Sequence, residues 1–419
     1  MRAVLLSFGI CRLASIGQAQ RIPPVHKLGP VTAVSQETFG ALLGVRQLAN
    51  GGVLVNDAAR RQLWLLDSTL THATVVLDST HGATNSYPNQ LSPLVAYRAD
   101  SSLLVDRTAL ALLVLGPAGT LVRTMALPMT DVSSLTESAF AADAHGRLLF
   151  RWRSLELHGA GASLSTVDPQ HADSLRLLRA DFDTRTIDTI AYIADFRGVT
   201  VAMSRDANGR ITNRVTVDPL PPGDEWAALP DGSIAIVRGR DYHIDWIDPD
   251  GSSRSSPRMP FDWRRVTDEE KQRLADSARA RNEHPFGRAD RATGGRAAVS
   301  GGGSGRVNNP DPSPGGTVVE VVSKPLAQIF DYYPPIRSGA VRADADGNVW
   351  VLPTTSLQFT DGALVYDVIN IHGELFERIR VPAGRSIAGF GLGGVVYLMV
   401  GDFRHGFVLE RTRAVHLSR

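Results

Sequence analysis

Charged residues close several apolar stretches of this chain, and their types suggest chemistry. The runs are Asn56-Asp57, Asp106-Arg107, Arg151-Trp152-Arg153, Arg238-Gly239-Arg240-Asp241 and Asp402-Phe403-Arg404. If the stretches before them are equivalent strands of a repeated unit, these charges from five units ring one end of a central tunnel. Converging carboxylates would suit a divalent cation such as Ca²⁺, which prefers oxygen ligands. The Arg side chains, with their planar forks of donors, would instead clamp a carboxylate or phosphate. The plain alternative is an ordinary rim whose charges neutralise one another. The candidate ligand-binding set is therefore Asp57, Asp106, Arg107, Arg151, Trp152, Arg238, Arg240, Asp241, Asp402 and Arg404.

Other familiar chemistries find little support. Gly389-Phe390-Gly391-Leu392-Gly393-Gly394 matches the dinucleotide fingerprint by letter. A β-type run follows it where a helix is required, so it reads as a turn between strands. Ser304 between Gly303 and Gly305 lies in a glycine-rich stretch rather than at a strand-to-helix elbow. None of the 11 histidines forms a zinc-binding H-E-x-x-H. Asp183 with Asp188, and Asp344 with Asp346, are each short of ligands for calcium, and Asp344-Ala345-Asp346-Gly347 reads as a turn. No catalytic residue is assigned.

The elements that would position these charges repeat. The clearest unit begins at Trp226. A strand runs into the turn Pro230-Asp231-Gly232, a second strand covers residues 233–237, a third covers 242–247, and Asp248-Pro249-Asp250-Gly251 turns into a fourth. Asp-Gly pairs between alternating apolar residues mark hairpins, because Gly accepts the positive φ such turns need. Looser copies place units at about 43–78, 91–128, 138–194, 224–260, 338–382 and 386–417. Six units of four short antiparallel strands predict an all-β fold, a six-bladed β-propeller in which neighbouring blades bury one another's apolar faces. Residues 31–39 supply a candidate ring-closing strand within an N-terminal segment at 20–42.

The segments 226–237 and 245–251 carry a resemblance to six-bladed propellers of the NHL-repeat and TolB-like group, extending over roughly residues 43–262 and 336–417. That group includes binding modules, enzymes and scaffolds, so the resemblance implies a fold and no single activity.

In a blade read outward from the centre, the second-to-third-strand loops and the crossovers between blades share one face. The long segments 154–174, 195–225, 261–338 and 353–362 all fall there, which makes that face the candidate binding surface. An insertion at 263–335 separates the fourth and fifth units. Thr267-Asp268-Glu269-Glu270 is a capping box, and residues 268–282 predict a helix with Leu274 and Ala278 on its apolar stripe. Residues 285–316 read as disordered, being rich in Gly, Pro and Asn. The insertion is either a lid or an ornament on the ring.

The chain has 419 residues, 44 Lys+Arg against 43 Asp+Glu, and a formal charge of +1, so nothing in its overall balance calls for nucleic acid. Its single cysteine, Cys11, excludes a disulfide framework. A basic start, an apolar run and Gly17-Gln18-Ala19 suggest a signal peptide at 1–19 and a periplasmic or secreted protein without a membrane span. The leading expectation is an exported, non-catalytic, monomeric propeller that binds a peptide, glycan or partner protein and holds no cofactor. The first alternative is a metal-dependent hydrolase or lactonase. It rests on a resemblance to senescence-marker and gluconolactonase propellers, which implies a tunnel-mouth cation on Asp57, Asp106 and Asp241. The second alternative is a structural module of an envelope complex.

Overall fold

The computed structural model describes residues 22–79, 86–88, 92–106, 109–127, 140–152, 174–205, 211–283, 317–358 and 361–415. The expected leader, most of the 154–174 loop, and residues 285–316 lie outside them, as does Arg107.

Six of the sheets are built on up-and-down antiparallel runs, and each begins close to where the repeat predicted. The first sheet comprises Leu42–Gln47, Val53–Asp57, Gln62–Leu66 and Ala73–Leu77, and the second Leu94–Ala96, Ser102–Asp106, Ala111–Leu115 and Leu121–Ala126. The third holds Phe140–Ala142, Leu148–Trp152, Ser174–Asp181 and Thr186–Ala194, and the fourth Glu225–Ala228, Ile234–Arg238, His243–Ile247 and Ser253–Ser255. The fifth runs Val341–Ala343, Val349–Val351, Leu364–Ile369 and Leu375–Val381, and takes Val25–Lys27 as a parallel outer strand. In the sixth, Arg385–Gly391, Val395–Asp402 and Gly406–Arg413 are completed by Ala33–Val34.

Burial explains this arrangement. The second strands are apolar on both faces, and Val53, Leu54 and Val55 are all fully buried. One face of such a strand packs on the preceding sheet and the other on the following one. The apolar clusters accordingly lie between consecutive sheets: Leu54 and Leu63 meet Leu104 and Leu115, Leu103 and Val105 meet Leu148 and Phe150, and Val53 and Val55 meet Tyr397 and Leu409. First strands of neighbouring sheets approach closely, with Leu42–Gln47 against both Leu94–Ala96 and Arg385–Gly391. This contact explains the misleading glycine motif. A β-carbon on Gly389 would lie 2.1 Å from the carbonyl oxygen of Val45, so only glycine lets the two backbones approach.

The region between the third and fourth sheets differs from the plain crossover expected at 195–225. Val199–Arg205 and Ile211–Val217 form a hairpin, and Thr317–Ser323 adds to it in parallel, from Ile211 opposite Thr317 to Val217 opposite Ser323. A helix, α1 (Asp268–Glu283), packs on this three-stranded sheet. Its capping box has the expected form: the Glu270 amide donates to Thr267 Oγ1 (3.2 Å) and the Thr267 amide to Glu270 Oε2 (3.0 Å). The buried stripe adds Lys271 and Ala275 to Ala278, with Leu274 only half-buried. Lys271 Nζ donates to Asp331 Oδ1 (2.6 Å), which ties the helix to the segment leading into the fifth sheet.

Candidate functional site

The strand Ile234–Arg238 ends in a turn through Gly239, Arg240, Asp241 and Tyr242, which is held tightly from below. Asp224, buried at the end of the crossover, accepts the Gly239 amide on Oδ1 (3.0 Å). Its Oδ2 accepts the Ala194 amide (2.9 Å) and Arg238 Nη1 (2.7 Å). Arg238 also donates from Nη1 to the Tyr192 carbonyl (3.0 Å) and from Nε to Asp245 Oδ2 (2.6 Å). Burial works against the guanidinium charge, but the two carboxylates outweigh it and hold its pKa above the ordinary value.

His243 and Asp245, at alternate positions of the strand His243–Ile247, share one face, and Asp241, in the turn before it, reaches the same imidazole. His243 Nδ1 lies 2.6 Å from Asp241 Oδ1, and Nε2 lies 3.1 Å from Asp245 Oδ1. Ser255 Oγ donates to the same Asp245 oxygen (2.5 Å). Burial would raise the Asp245 pKa, yet the hydrogen bonds from Ser255 and Arg238 hold it below the usual carboxylate range. Arg258 approaches the other oxygen of Asp241 at 3.4 Å.

This face opens on a cleft of about 540 Å³ between the fourth sheet and the three-stranded sheet. Asp224, Arg238, Arg240, Asp241 and His243 form one wall, and Thr200, Thr216, Asp218 and Lys324 the other. Lys324 Nζ donates to Asp218 Oδ2 (2.8 Å), and Arg238 is committed to its two aspartates. Among the described residues, Arg240 is the one lining cation without an ion pair, and it is exposed. The cleft thus pairs an imidazole–carboxylate unit, able to take up and release a proton, with an open guanidinium.

Of the candidate residues, the structure brings together Arg238, Arg240 and Asp241. Asp57 is buried and accepts the amides of Gly40 (2.7 Å), Ala41 (3.1 Å) and Arg60 (3.2 Å). Asp106 accepts the Ala109 amide (3.0 Å). Arg151 pairs with the buried Glu225, which also accepts the Gly339 amide and so joins three sheets; burial raises the Glu225 pKa against the pull of Arg151. Trp152 packs edge-on against Phe150. Asp402 closes its own exposed turn with the amides of Arg404 (2.7 Å) and His405 (3.0 Å), and Arg404 is exposed there. Sequence reading missed Asp224, His243, Asp245, Asp218 and Lys324. The alternate spacing of 241, 243 and 245 was a visible signal; the approach of Lys324 depends on a strand pairing across about a hundred residues.

A tunnel-mouth cation on Asp57, Asp106 and Asp241 does not fit these donors. Asp57 is consumed by backbone amides, Asp106 by its turn, and Asp241 by His243 and Arg258. Among the described residues, no three His, Cys, Asp or Glu side chains gather as a metal site would require. None of the described helices is long and apolar enough to cross a membrane.

No family model matches the chain, and no curated protein does. It is similar to several solved structures. A calcium-binding protein, regucalcin, of Agrobacterium tumefaciens shares 11% identity at a TM-score of 0.38, over 93% of this chain and 97% of that one. A gluconolactonase of Xanthomonas campestris shares 11% at 0.41, over 94% and 95%. A streptogramin B lyase shares 10% at 0.37, over 91% and 96%. These are β-propeller folds, and at such identities the likeness concerns the fold alone. The expectation of a non-catalytic binder is not carried further; the similar structures bear the names of a gluconolactonase and a lyase.

Proposed function

We propose that this chain is a hydrolase of small anionic esters, ring esters included, acting in the cleft beside the fourth sheet. The six sheets are read as the blades of a six-bladed propeller of the kind seen in NHL-repeat and TolB-like proteins. The segment 263–335 is an insertion whose strand Thr317–Ser323 joins the hairpin of residues 199–217, and whose Lys324 stands in the far wall of the cleft beside Thr200, Thr216 and Asp218. In this reading Arg240 binds a carboxylate or phosphate of the substrate as a two-pronged donor. Asp241, at the cleft wall with its Oδ1 sharing the Nδ1 proton of His243, takes a proton from an attacking water as general base and stores it, while the imidazole, held on its other side by Asp245, keeps that carboxylate in place. The water oxygen bonds to the ester carbonyl carbon, the carbon–oxygen bond to the leaving group breaks, and the stored proton goes to the departing oxygen. The products are an acid and an alcohol, on one molecule when the substrate is a ring.

The observation that carries this reading is His243 held at 2.6 and 3.1 Å between two carboxylates on the wall of a cleft whose lining includes Arg240, exposed and without an ion pair among the described residues. The test is acid release by the full chain in a pH-stat, over a panel of lactones and open esters with and without a carboxylate. We expect turnover of anionic members, a fall in kcat of about 100-fold or more in Asp241→Asn, and a raised KM in Arg240→Ala. Inertness toward the whole panel, or an Asp241→Asn enzyme as fast as the native one, would refute it.

A further inference from the structure

We propose that Arg238 is a positioning residue for this site, setting the orientation of the His243 imidazole through Asp245. The inference rests on the hydrolase reading for its catalytic consequence but not for its geometry. Five polar side chains form one continuous line: Asp224 to Arg238 at 2.7 Å, Arg238 to Asp245 at 2.6 Å, Asp245 to His243 at 3.1 Å, and His243 to Asp241 at 2.6 Å.

The two ends of this line differ. Asp224 is buried and bonded to two backbone amides, so it is anchored to the fold. Asp241 faces the cleft. Arg238 is the only member that touches both the anchor and Asp245. Its Nε and Nη1 point to different carboxylates, and the planar guanidinium holds those two donors at a fixed angle, whereas the donors of an ammonium rotate. With Asp245 Oδ2 held by Arg238, the other oxygen is aimed at His243 Nε2, and Ser255 closes the remaining freedom. The ring therefore has one fixed nitrogen and one nitrogen facing the carboxylate that meets the substrate. Without Arg238, Asp245 Oδ2 loses its partner and only Ser255 still orients that carboxylate, so the partner of His243 Nε2 is held less firmly.

The experiment observes the ring directly, in full-length protein labelled with ¹⁵N-histidine, with signals assigned by their loss in His243→Gln. Native protein is expected to show a hydrogen-bonded, slowly exchanging Nε2–H on His243. Arg238→Met should abolish that slow exchange. Where substrate turnover is found, it should also lower kcat by about 10- to 100-fold, as removal of an orienting partner does elsewhere, with KM changed less than twofold. Because Arg238→Met strands a buried carboxylate and threatens folding, the double variant Asp224→Asn/Arg238→Met removes both halves of the pair and should give the same loss. Arg238→Lys should recover at most part of the protection. A His243 Nε2–H equally protected in native protein and in the folded variants would overturn the proposal. Lost protection in a protein that hydrolyses nothing would uphold the positioning role and refute the hydrolase reading, so the two failures are distinct.

Discussion

Gly239 offers a sharp test of how the site is held, because the structure leaves no room for a single added methyl group. A β-carbon there would lie 2.1 Å from the carbonyl oxygen of Gly223 and 3.2 Å from the carbonyl carbon of Pro222. Both neighbours are backbone, so no side chain can swing aside. In Gly239→Ala the turn must move away from the crossover by about 1 Å, which lengthens the amide bond from Gly239 to Asp224 and lifts Arg240 and Asp241 from their places. Overpacking costs about 1–3 kcal/mol, and a weakened hydrogen bond to a charged acceptor adds about 1.5 kcal/mol. At about 2 cal/mol/K of unfolding entropy per residue, a total of about 3 kcal/mol lowers Tm by about 3–4 °C for this chain. The control is Gly251→Ala, a turn glycine at φ +88° with nothing within 4 Å of the added carbon. It carries the left-handed backbone penalty of about 1 kcal/mol and no steric clash. Calorimetry on both variants, with kcat on the best substrate, checks the difference. Gly239→Ala as stable and active as native protein would show that the turn does not rest on the crossover as described.

Other consequences follow from buried groups away from the cleft. Burial pushes the Tyr87 phenol, which donates to Asn56 Oδ1, up to about 12, so its stabilisation is complete below pH 10 and is lost as pH rises toward 12. Alkaline unfolding should be steeper over that range in native protein than in Tyr87→Phe, by roughly 2–3 kcal/mol, and equal slopes would refute the burial argument. The same variant leaves Asn56 Oδ1 without its 2.7 Å donor and should lose about 1–2 kcal/mol at neutral pH in denaturant melts. Lys271 holds the Asp331 carboxyl below its usual range, which stabilises the docking of α1 above about pH 4 and is lost as pH falls through the lowered value. Hydrogen exchange in α1 should accelerate in acid for native protein, and that acid dependence should vanish in Lys271→Met. Removing residues 22–34 takes away Ala33–Val34 and the Gly29 carbonyl that accepts Thr412 Oγ1 at 2.7 Å. Exchange in Gly406–Arg413 should then rise more than in Leu42–Gln47, and uniform protection would refute the closing role of that strand.

What the sequence disclosed, and what it hid, divides along the range of the interactions involved. The repeated sheets were legible because each is a chain of local hairpins whose turns announce themselves. Asp344 accepts the amides of Asp346 and Asn348 at 3.0 and 2.8 Å, so the turn chemistry needs only neighbours in sequence. The capping box of α1 is local for the same reason. The parallel addition of Val25–Lys27 and the three-stranded sheet escaped notice, since each depends on a strand found far along the chain. The candidate charges suffered from a related ambiguity. An Asp following a strand reads alike whether it closes its own turn, as Asp106 and Asp402 do, or faces a cleft, as Asp241 does. The difference comes from what stands opposite. A second wall, built from Ile211–Val217, Thr317–Ser323 and Lys324, turns one of several similar strand-end positions into an enclosed one. Charges facing bulk water interact weakly, whereas the same charges in a partly enclosed cleft gain strength from the lower effective dielectric. The asymmetry among the repeated sheets therefore arises from the non-repeating wall, which is where a sequence read for its repeats is least informative.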